Sequence, residues 1–309
     1  MKSFLVKIVI FLALLFLLDK CFIPVRALSS NMGGDKKLAL LLEGKLNKEL
    51  IVVGSSRARE GIATWMLQDS LHLSAYNLAY GGSEIEFQDF LLRTLLLHNK
   101  KPSTIVKVID EDFELIPSEQ NQFLSDRLYL FLKYPEVRTE MVKQKNKNPY
   151  FAKLSVLYLM NKKNFKFWNL NQNNTKKIND TLMQFGTLPE SYKKKDRDWS
   201  YDTINQYDLS NELPNKVAAF ENFQNLCVQH NIQLIYVIPP SYYNVNPAFV
   251  NRLKKILYSS SLLYIYDSSN PAYADKNIFN DKVHLNKNGA EIFTKELINF
   301  IKNKETNLK

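Results

Sequence analysis

Residues 50–56 read Leu-Ile-Val-Val-Gly-Ser-Ser, so a short run of large apolar side chains ends at a glycine and two serines. Four further short apolar runs occupy residues 74–78, 104–109, 233–238 and 262–266. Continuous runs of this kind are typical of strands that are buried on both faces of a sheet. The sequence therefore predicts five buried strands.

Helical patterns separate these runs, with apolar residues at helical spacing over residues 83–95, 216–230, 247–258 and 288–302. Ser83 and Glu86 have the spacing of a capping box at the start of the first of these helices. Strands that alternate with helices form parallel sheets with helices on both faces. We predict a flavodoxin-like three-layer α/β/α sandwich with a parallel five-stranded sheet.

A long stretch, residues 113–213, interrupts the alternation between the third and fourth strands. It is rich in Tyr, Asn and Lys, and its pieces at 120–134 and 150–164 have helical patterns. We predict a mostly helical insertion. Two interpretations of its role stay open: a lid or substrate-recognition cap, or an appendage that serves packing.

The N-terminus carries an apolar segment behind two basic residues, Lys2 and Lys7. Counted from Phe4 to Val25, the segment is long enough for a transmembrane helix, and its basic end is expected to stay in the cytoplasm. The predicted organisation is a membrane anchor (1–25), a stalk (26–48), an extracytoplasmic domain (49–303) with the insertion, and a tail (304–309). A cleaved secretion signal is the alternative, because small residues at Val25 and Ala27 suit a cleavage site.

The composition excludes several classes of site. The formal net charge is +10, but the lysines are scattered and no nucleic-acid-binding motif is present, so we predict no nucleic-acid partner. A basic surface favours an anionic envelope polymer or lipid headgroups instead. The only cysteines, Cys21 and Cys227, lie in unrelated settings, and no Cys/His cluster exists in the sequence. We therefore predict no disulfide, no metal and no cofactor.

Reactive residue types concentrate in the loops after the predicted strands, where open α/β sheets bind ligands. Three of the four histidines lie where helical patterns end, which is typical of structural roles: His72, His98 and His230. His284 instead lies in a turn before a helix, three residues after Asp281, a carboxylate able to orient its ring. Ser56 follows a buried strand and Gly54, although a helix cap is the alternative role for this serine.

Three blocks together resemble the SGNH (GDSL-like) hydrolase superfamily: the first strand with Gly54-Ser55-Ser56, the glycine turn at 81–82, and Asp281-Lys-Val-His284-Leu285 before the last helix. The resemblance covers about residues 49–113 and 214–303, with the blocks in the family's order. It implies that Ser56 is the nucleophile, His284 the general base and Asp281 the residue that orients His284. It also implies an oxyanion hole formed by the backbone amides of Ser56 and of Gly81 or Gly82.

The same resemblance implies an activity and partners. We expect a serine esterase or O-acyltransferase that acts on ester-linked acyl groups, chiefly acetyl, of a cell-envelope polysaccharide or lipid-linked glycan. The N-terminal helix would attach the chain to the membrane at the periplasmic or cell-surface side. A membrane protein that supplies the acyl group would be the natural partner of a transferase.

Two departures from the family pattern concern this activity. Ser55 stands where the family has Asp, and Asp110-Glu-Asp112 stands where it has Gly-x-Asn-Asp. Losing one oxyanion donor typically costs about two to three orders of magnitude in turnover. Either another donor replaces the asparagine or the activity is weak, and an inactive binding or assembly module is the alternative function. A nucleotide binder is disfavoured, because Gly54 to Ala58 lacks a phosphate-binding glycine pattern.

Candidate substrate contacts lie in the same loops: Arg57, Tyr80, Tyr242 and Tyr243. Arg57 and Arg59 can bind an anionic substrate, but an ion pair with one of the acidic residues 110–112 is the favoured interpretation. The tyrosines can stack on sugar rings, and ordinary packing explains them equally well.

Overall fold

The computed structural model describes residues 2–28, 35–128, 131, 133–144, 148–155, 157, 185–187 and 206–307. The chain divides into two compact units. The N-terminal unit comprises Met1–Ala39 and Leu124–Lys177, and the sheet unit comprises Leu40–Phe123 and Ile178–Lys309. The boundary of the sheet unit at Phe123 lies inside the insertion predicted from the sequence.

The sheet unit contains a five-stranded parallel sheet in the order β2-β1-β3-β4-β5. Its strands are β1 (Leu50–Val53), β2 (Ala75–Asn77), β3 (Thr104–Val108), β4 (Gln233–Ile238) and β5 (Leu262–Ile265). The predicted parallel five-stranded sheet is confirmed, and the order is that of flavodoxin-like sheets. Val52 of β1 lies opposite Asn77 of β2 and Val106 of β3, so the ends of these strands are aligned.

The helices in chain order are α1 (Lys2–Leu28), α2 (Lys36–Leu42), α3 (Ser56–Gly61), α4 (Thr64–Leu71), α5 (Ile85–His98), α6 (Ser125–Leu128), α7 (Pro135–Lys143), α8 (Pro149–Leu154), α9 (Pro214–Gln229), α10 (Pro247–Ile256) and α11 (Lys287–Asn307). Pro occupies the first turn of α7, α8, α9 and α10, where its missing N–H costs nothing. Asn246 caps α10 by accepting hydrogen bonds from the N–H groups of Ala248 and Phe249.

Helices cover both faces of the sheet. Successive side chains of a strand point to opposite faces, so apolar residues lie on both faces and the helices bury them. On one face, Val52 and Val106 belong to a buried cluster that includes Phe293 of α11. On the other face, Tyr236 of β4 stacks on Phe220 of α9 with ring centroids 5.2 Å apart, and α9 packs against α5. Burial on both faces explains why the strand sequences are mostly apolar.

The first helix after β2 begins differently from the sequence prediction. Helix α5 starts at Ile85 with Glu84 at the N-cap, and no side chain caps it there. The hydroxyl of Ser83 instead donates to the carbonyl oxygen of Gly54 at 3.0 Å. Ser83 therefore ties the loop after β2 to the loop after β1, and the predicted capping box is wrong.

The predicted membrane anchor forms helix α1 in the N-terminal unit. Over the residues that the structure describes, we find no helix that combines the length and the apolar character needed to cross a membrane. Of the predicted stalk, residues 29–34 lie outside the described residues. Of the two helical pieces predicted for the insertion, 120–134 includes the short helix α6 and 150–164 overlaps α8, whereas α7 lies between them and was not predicted. Residues 158–184 and 188–205 lie outside the described part of the chain.

Candidate active site

The loop after β1 places Ser56 at the carboxyl edge of the sheet. Gly54 has φ +155°, and a Cβ there would lie 2.7 Å from Cβ of Ala58 and 3.1 Å from Cβ of Val108. A side chain at position 54 would thus prevent the close turn from β1 into α3. Ser55 caps α3 by accepting a hydrogen bond from the N–H of Arg57, which leaves Ser56 as the first helical residue.

Three side chains that the sequence predicts as a triad meet at this edge. Oγ of Ser56 lies 2.7 Å from Nε2 of His284, and Nδ1 of the same ring lies 2.7 Å from Oδ1 of Asp281. The side chains of His284 and Asp281 are 18% and 19% exposed, so the pair is accessible from solvent without being fully solvated. Ser56 and His284 are 228 positions apart in the sequence. The hydrogen bonds join residues that only the tertiary fold brings together.

Backbone hydrogen bonds hold the loop that carries Asp281 and His284 (residues 280–284). Oδ1 of Asp281 also accepts from the N–H groups of Val283 and His284, at 3.1 and 3.0 Å. Farther along, the N–H of Asn280 donates to the carbonyl oxygen of His284 at 2.8 Å, and the N–H of Tyr242 donates to that of Lys282 at 2.7 Å. A carboxylate can only accept from Nδ1–H, so Nε2 is the free acceptor for the serine hydroxyl. This is the tautomer that a general base needs.

A second set of polar contacts holds Ser55, the residue before Ser56. The hydroxyl of Ser55 donates to Oδ1 of Asp110 at 2.5 Å, and Nδ2 of Asn121 donates to Oδ2 of the same carboxylate at 3.0 Å. Asp110 and Ser55 are both buried. A buried carboxylate thus lies beside Ser55, two residues after the end of β3. The resulting chain of Ser55, Asp110 and Asn121 fixes the residue next to Ser56.

The charge state of Asp110 is sensitive to pH. Burial raises the pKa of Asp110 from 3.8 to about 6, and the nearby Glu114 carboxylate raises it too, against the hydrogen bond from Ser55. Between these two values the folded protein holds a proton that the unfolded chain releases, so this proton stabilises the fold at low pH. The stabilisation is complete below the unfolded pKa and is lost as the pH rises through the folded one.

The variant Asp110→Asn tests this proton linkage. Because asparagine does not ionise, we expect the variant to gain stability relative to wild type as the pH rises from about 4 to about 7. Urea-unfolding midpoints across this range measure the difference. A constant gap between the two proteins at every pH would show that Asp110 keeps an ordinary pKa in the folded state.

Arg57, the residue after Ser56, forms a buried ion pair. Its Nη1 donates to Oε1 of Glu111 and its Nη2 to the carbonyl oxygen of Pro239, both at 2.8 Å. The hydroxyl of Ser241 donates to the same Glu111 oxygen at 3.1 Å. The ion-pair interpretation of Arg57 is thus confirmed, with Glu111 as the partner. Glu111 has φ +55°, a left-handed conformation that costs about 1 kcal/mol or more and that this pair helps to hold.

A cavity of about 400 Å³ opens beside the triad. Its walls come from the segments after β1, β3 and β4 and from the loop that carries His284. They comprise Ser55, Ser56, Arg57, Asp110, Phe113, Pro117, Ser118, Glu119, Gln120, Asn121, Tyr243, Val283 and His284. Of the predicted oxyanion donors, Ser56 is part of this wall, whereas Gly81 and Gly82 are not. The guanidinium of Arg59 packs against Gly81, since a Cβ on this glycine would lie 3.0 Å from it. Arg59 pairs with Glu60, so the predicted ion pair with one of residues 110–112 is wrong for this arginine.

Of the three tyrosines proposed to stack on sugar rings, one lines the cavity and two do not. Tyr243 lines the cavity, and burial raises the pKa of its hydroxyl, which therefore stays protonated. Tyr80 is buried and packs edge-to-face on Phe87, with ring centroids 5.4 Å apart. Tyr242 packs edge-to-face on Phe279 at 5.8 Å. Neither Tyr80 nor Tyr242 belongs to the cavity wall.

The chain matches no protein-family model and no curated protein sequence. What can be said of its function therefore depends on the geometry of this site. The resemblance to SGNH hydrolases remains an interpretation of the three sequence blocks and of the contacts described above.

Asn121 is one of four polar residues of the cavity wall that the sequence did not identify, with Ser118, Glu119 and Gln120. It lies eleven positions after Asp110, inside the stretch assigned to the insertion. The chain returns to the site because residues around Gln122 pair with the loop after β2, where the N–H of Gln122 donates to the carbonyl oxygen of Gly82 at 2.9 Å. No sequence spacing signals this return. The nearest signal was the missing family asparagine, which calls for a donor from another segment.

Proposed function

We propose that the chain is an SGNH-type serine hydrolase or O-acyltransferase that acts on ester-linked acyl groups. The observation that carries this proposal is the hydrogen-bonded series Ser56, His284 and Asp281 beside a cavity of about 400 Å³. A nucleophile, a base and a group that orients the base are the minimum for acyl transfer through a serine ester.

The proposed reaction has two stages. In the first, Nε2 of His284 takes the proton from Ser56, Oγ bonds to the ester carbonyl carbon, and the C–O bond to the alcohol breaks as that alcohol receives the proton from His284. In the second, water or a sugar hydroxyl gives its proton to His284 and attacks the acyl-serine. The serine oxygen leaves with that proton, and the product is a carboxylic acid or a new ester.

The oxyanion of each tetrahedral intermediate needs donors in the cavity wall. We assign this role to the backbone N–H of Ser56 and to the side-chain amide of Asn121. The amide nitrogen of Asn121 carries two hydrogens, and its hydrogen bond to Asp110 uses one of them. That bond also fixes the amide orientation, which supports preorganised stabilisation of negative charge. Asn121 would thus replace the asparagine that is missing after β3.

Replacing Asn121 with alanine tests this assignment. We expect kcat for an acetyl ester to fall by about 10²-fold, with little change in KM, because an oxyanion donor acts mainly in the transition state. Steady-state kinetics on 4-nitrophenyl acetate measure the effect, and unfolding curves confirm that the variant is folded. Asp110→Ala serves as the matched control for the lost hydrogen bond, because alanine offers no acceptor: an equal fall in kcat in both variants would mean that Asn121 acts only through Asp110.

For the location and substrate we propose a domain held at a membrane by α1, outside the cytoplasm, that acts on an envelope polysaccharide or lipid-linked glycan. The exposed apolar side chains of α1 and the net charge of +10 support attachment to an anionic bilayer. A transferase of this kind needs an acyl donor, and a membrane protein that delivers the acyl group is the proposed partner. These assignments follow the family resemblance, which is an analogy.

Fluorophosphonate labelling tests the proposed chemistry directly. Such probes form a covalent bond with a serine that a neighbouring base activates. We expect one modified peptide in the intact protein, with the adduct on Ser56. A folded protein that takes up no probe would refute the enzyme proposal and would favour the inactive binding module instead.

A further inference from the structure

Helix α1 presents apolar side chains on every side. From Phe4 to Leu18 it carries thirteen large apolar side chains that are 38% to 67% exposed. A helix that is apolar all round is normally buried in a protein core or in lipid, and exposed patches of this size mark interaction surfaces. The basic residues Lys2 and Lys7 lie within or just before this surface. Apolar side chains with flanking lysines suit a bilayer with anionic headgroups.

The end of the apolar run is fastened to the insertion. The side chain of Asp19 is 10% exposed, and its Oδ1 accepts hydrogen bonds from Oγ of Ser155 at 2.7 Å and from the N–H of Leu157 at 2.9 Å. Lys20 pairs with the same carboxylate at 3.1 Å and donates to the carbonyl oxygen of Leu154. The acidic residue that ends the apolar run is thus satisfied by the segment just after α8. All these residues belong to the N-terminal unit.

The helix that leads into this segment, α8, exposes large apolar side chains. Tyr150, Phe151 and Leu154 of α8 are 68%, 61% and 61% exposed. Tyr and Phe next to a basic residue are typical of the membrane–water interface, where an aromatic ring can lie among the acyl chains while polar groups stay hydrated. Two exposed apolar surfaces, on α1 and on α8, therefore meet at Asp19 and Lys20.

We propose that α8 is a second membrane contact, which inserts Tyr150, Phe151 and Leu154 into the headgroup region of the bilayer that holds α1. The Asp19 contacts fix α8 at that depth, at the end of the apolar run. This inference rests on the proposed membrane attachment of α1. It gives this part of the insertion a lipid-binding role, in place of the lid or packing roles considered from the sequence.

The test uses the full-length protein on vesicles of phosphatidylcholine and phosphatidylglycerol. An environment-sensitive nitrobenzoxadiazole dye is attached at Phe151→Cys in a Cys21→Ser background, since Cys227 is buried. We expect the emission to shift to the blue on vesicle binding and to be quenched by lipids with nitroxide-labelled headgroups. The matched control is Val142→Cys, whose native side chain is 53% exposed on α7, and we expect neither effect there.

A further variant, Asp19→Ala, separates the two contacts. It removes the hydrogen bonds to Ser155 and Leu157, so we expect the dye at position 151 to lose most of its quenching while the protein still floats with the vesicles. A water-exposed dye at position 151 in vesicle-bound protein would overturn the inference and leave the attachment of α1 intact. Protein that does not float at all would refute both the attachment and the inference.

Discussion

The variant Ser56→Ala will lose hydrolysis of acetyl esters by at least about three orders of magnitude and will not react with a fluorophosphonate probe. The hydroxyl lies 2.7 Å from Nε2 of His284, and no other group at that position can form the acyl-enzyme. The loss should appear in kcat, because the cavity proposed as the ester site keeps its shape. Initial rates with 4-nitrophenyl acetate and mass spectrometry of the labelled protein provide the two measurements.

A matched control comes from the chain itself. The hydroxyl of Ser269 is likewise hydrogen-bonded, to the carboxylate of Asp267 at 2.6 Å, but this serine is exposed and does not line the cavity. We expect Ser269→Ala to keep wild-type rates and labelling. Residual turnover of Ser56→Ala close to that of wild type, with Ser269→Ala unchanged, would mean that hydrolysis occurs elsewhere and that the triad is structural.

The fold could be predicted from sequence because its signals are local. The strand β1 is buried on both faces, and this produces its uninterrupted apolar run, whose predicted and observed limits agree. The capping-box error at Ser83 has the opposite origin. Its local spacing is correct, but the hydroxyl finds a better acceptor in the carbonyl oxygen of Gly54, and such a tertiary contact leaves no trace in local spacing.

The candidate site likewise has residues that the sequence predicts and residues that it does not. Ser56, His284 and Asp281 were identifiable because each follows a strand or precedes the last helix, and the topology of a parallel sheet gathers those loops at one edge. The roles of Asp110 and Asn121 depend on how the chain turns back after β3. That turn is fixed by contacts such as the buried Lys107, whose amine pairs with Glu114 at 2.6 Å. Contacts of this kind follow from packing in three dimensions, so sequence spacing does not predict them.

The variant Asp281→Asn should be nearly as inactive as the serine variant, with a fall in kcat of about 10⁴-fold at neutral pH. The reason is the charge of Asp281. The carbonyl oxygen of asparagine can take the place of Oδ1, but it is neutral and does not stabilise the imidazolium that forms when His284 takes the proton of Ser56. Steady-state kinetics on 4-nitrophenyl acetate measure the loss, and the rate of fluorophosphonate labelling should fall in parallel.

The comparison with Asp281→Ala distinguishes this electronic effect from a collapsed loop. The carbonyl oxygen of asparagine can still accept from the N–H groups of Val283 and His284, as Oδ1 of Asp281 does at 3.1 and 3.0 Å. Asp281→Asn should therefore keep the wild-type unfolding midpoint, whereas Asp281→Ala loses these hydrogen bonds and should be destabilised by about 1–2 kcal/mol. Both variants should be inactive, because neither carries the negative charge that stabilises the imidazolium. If Asp281→Asn kept more than about a tenth of the wild-type kcat, the carboxylate would serve only the turn, and the proposed triad would reduce to Ser56 and His284.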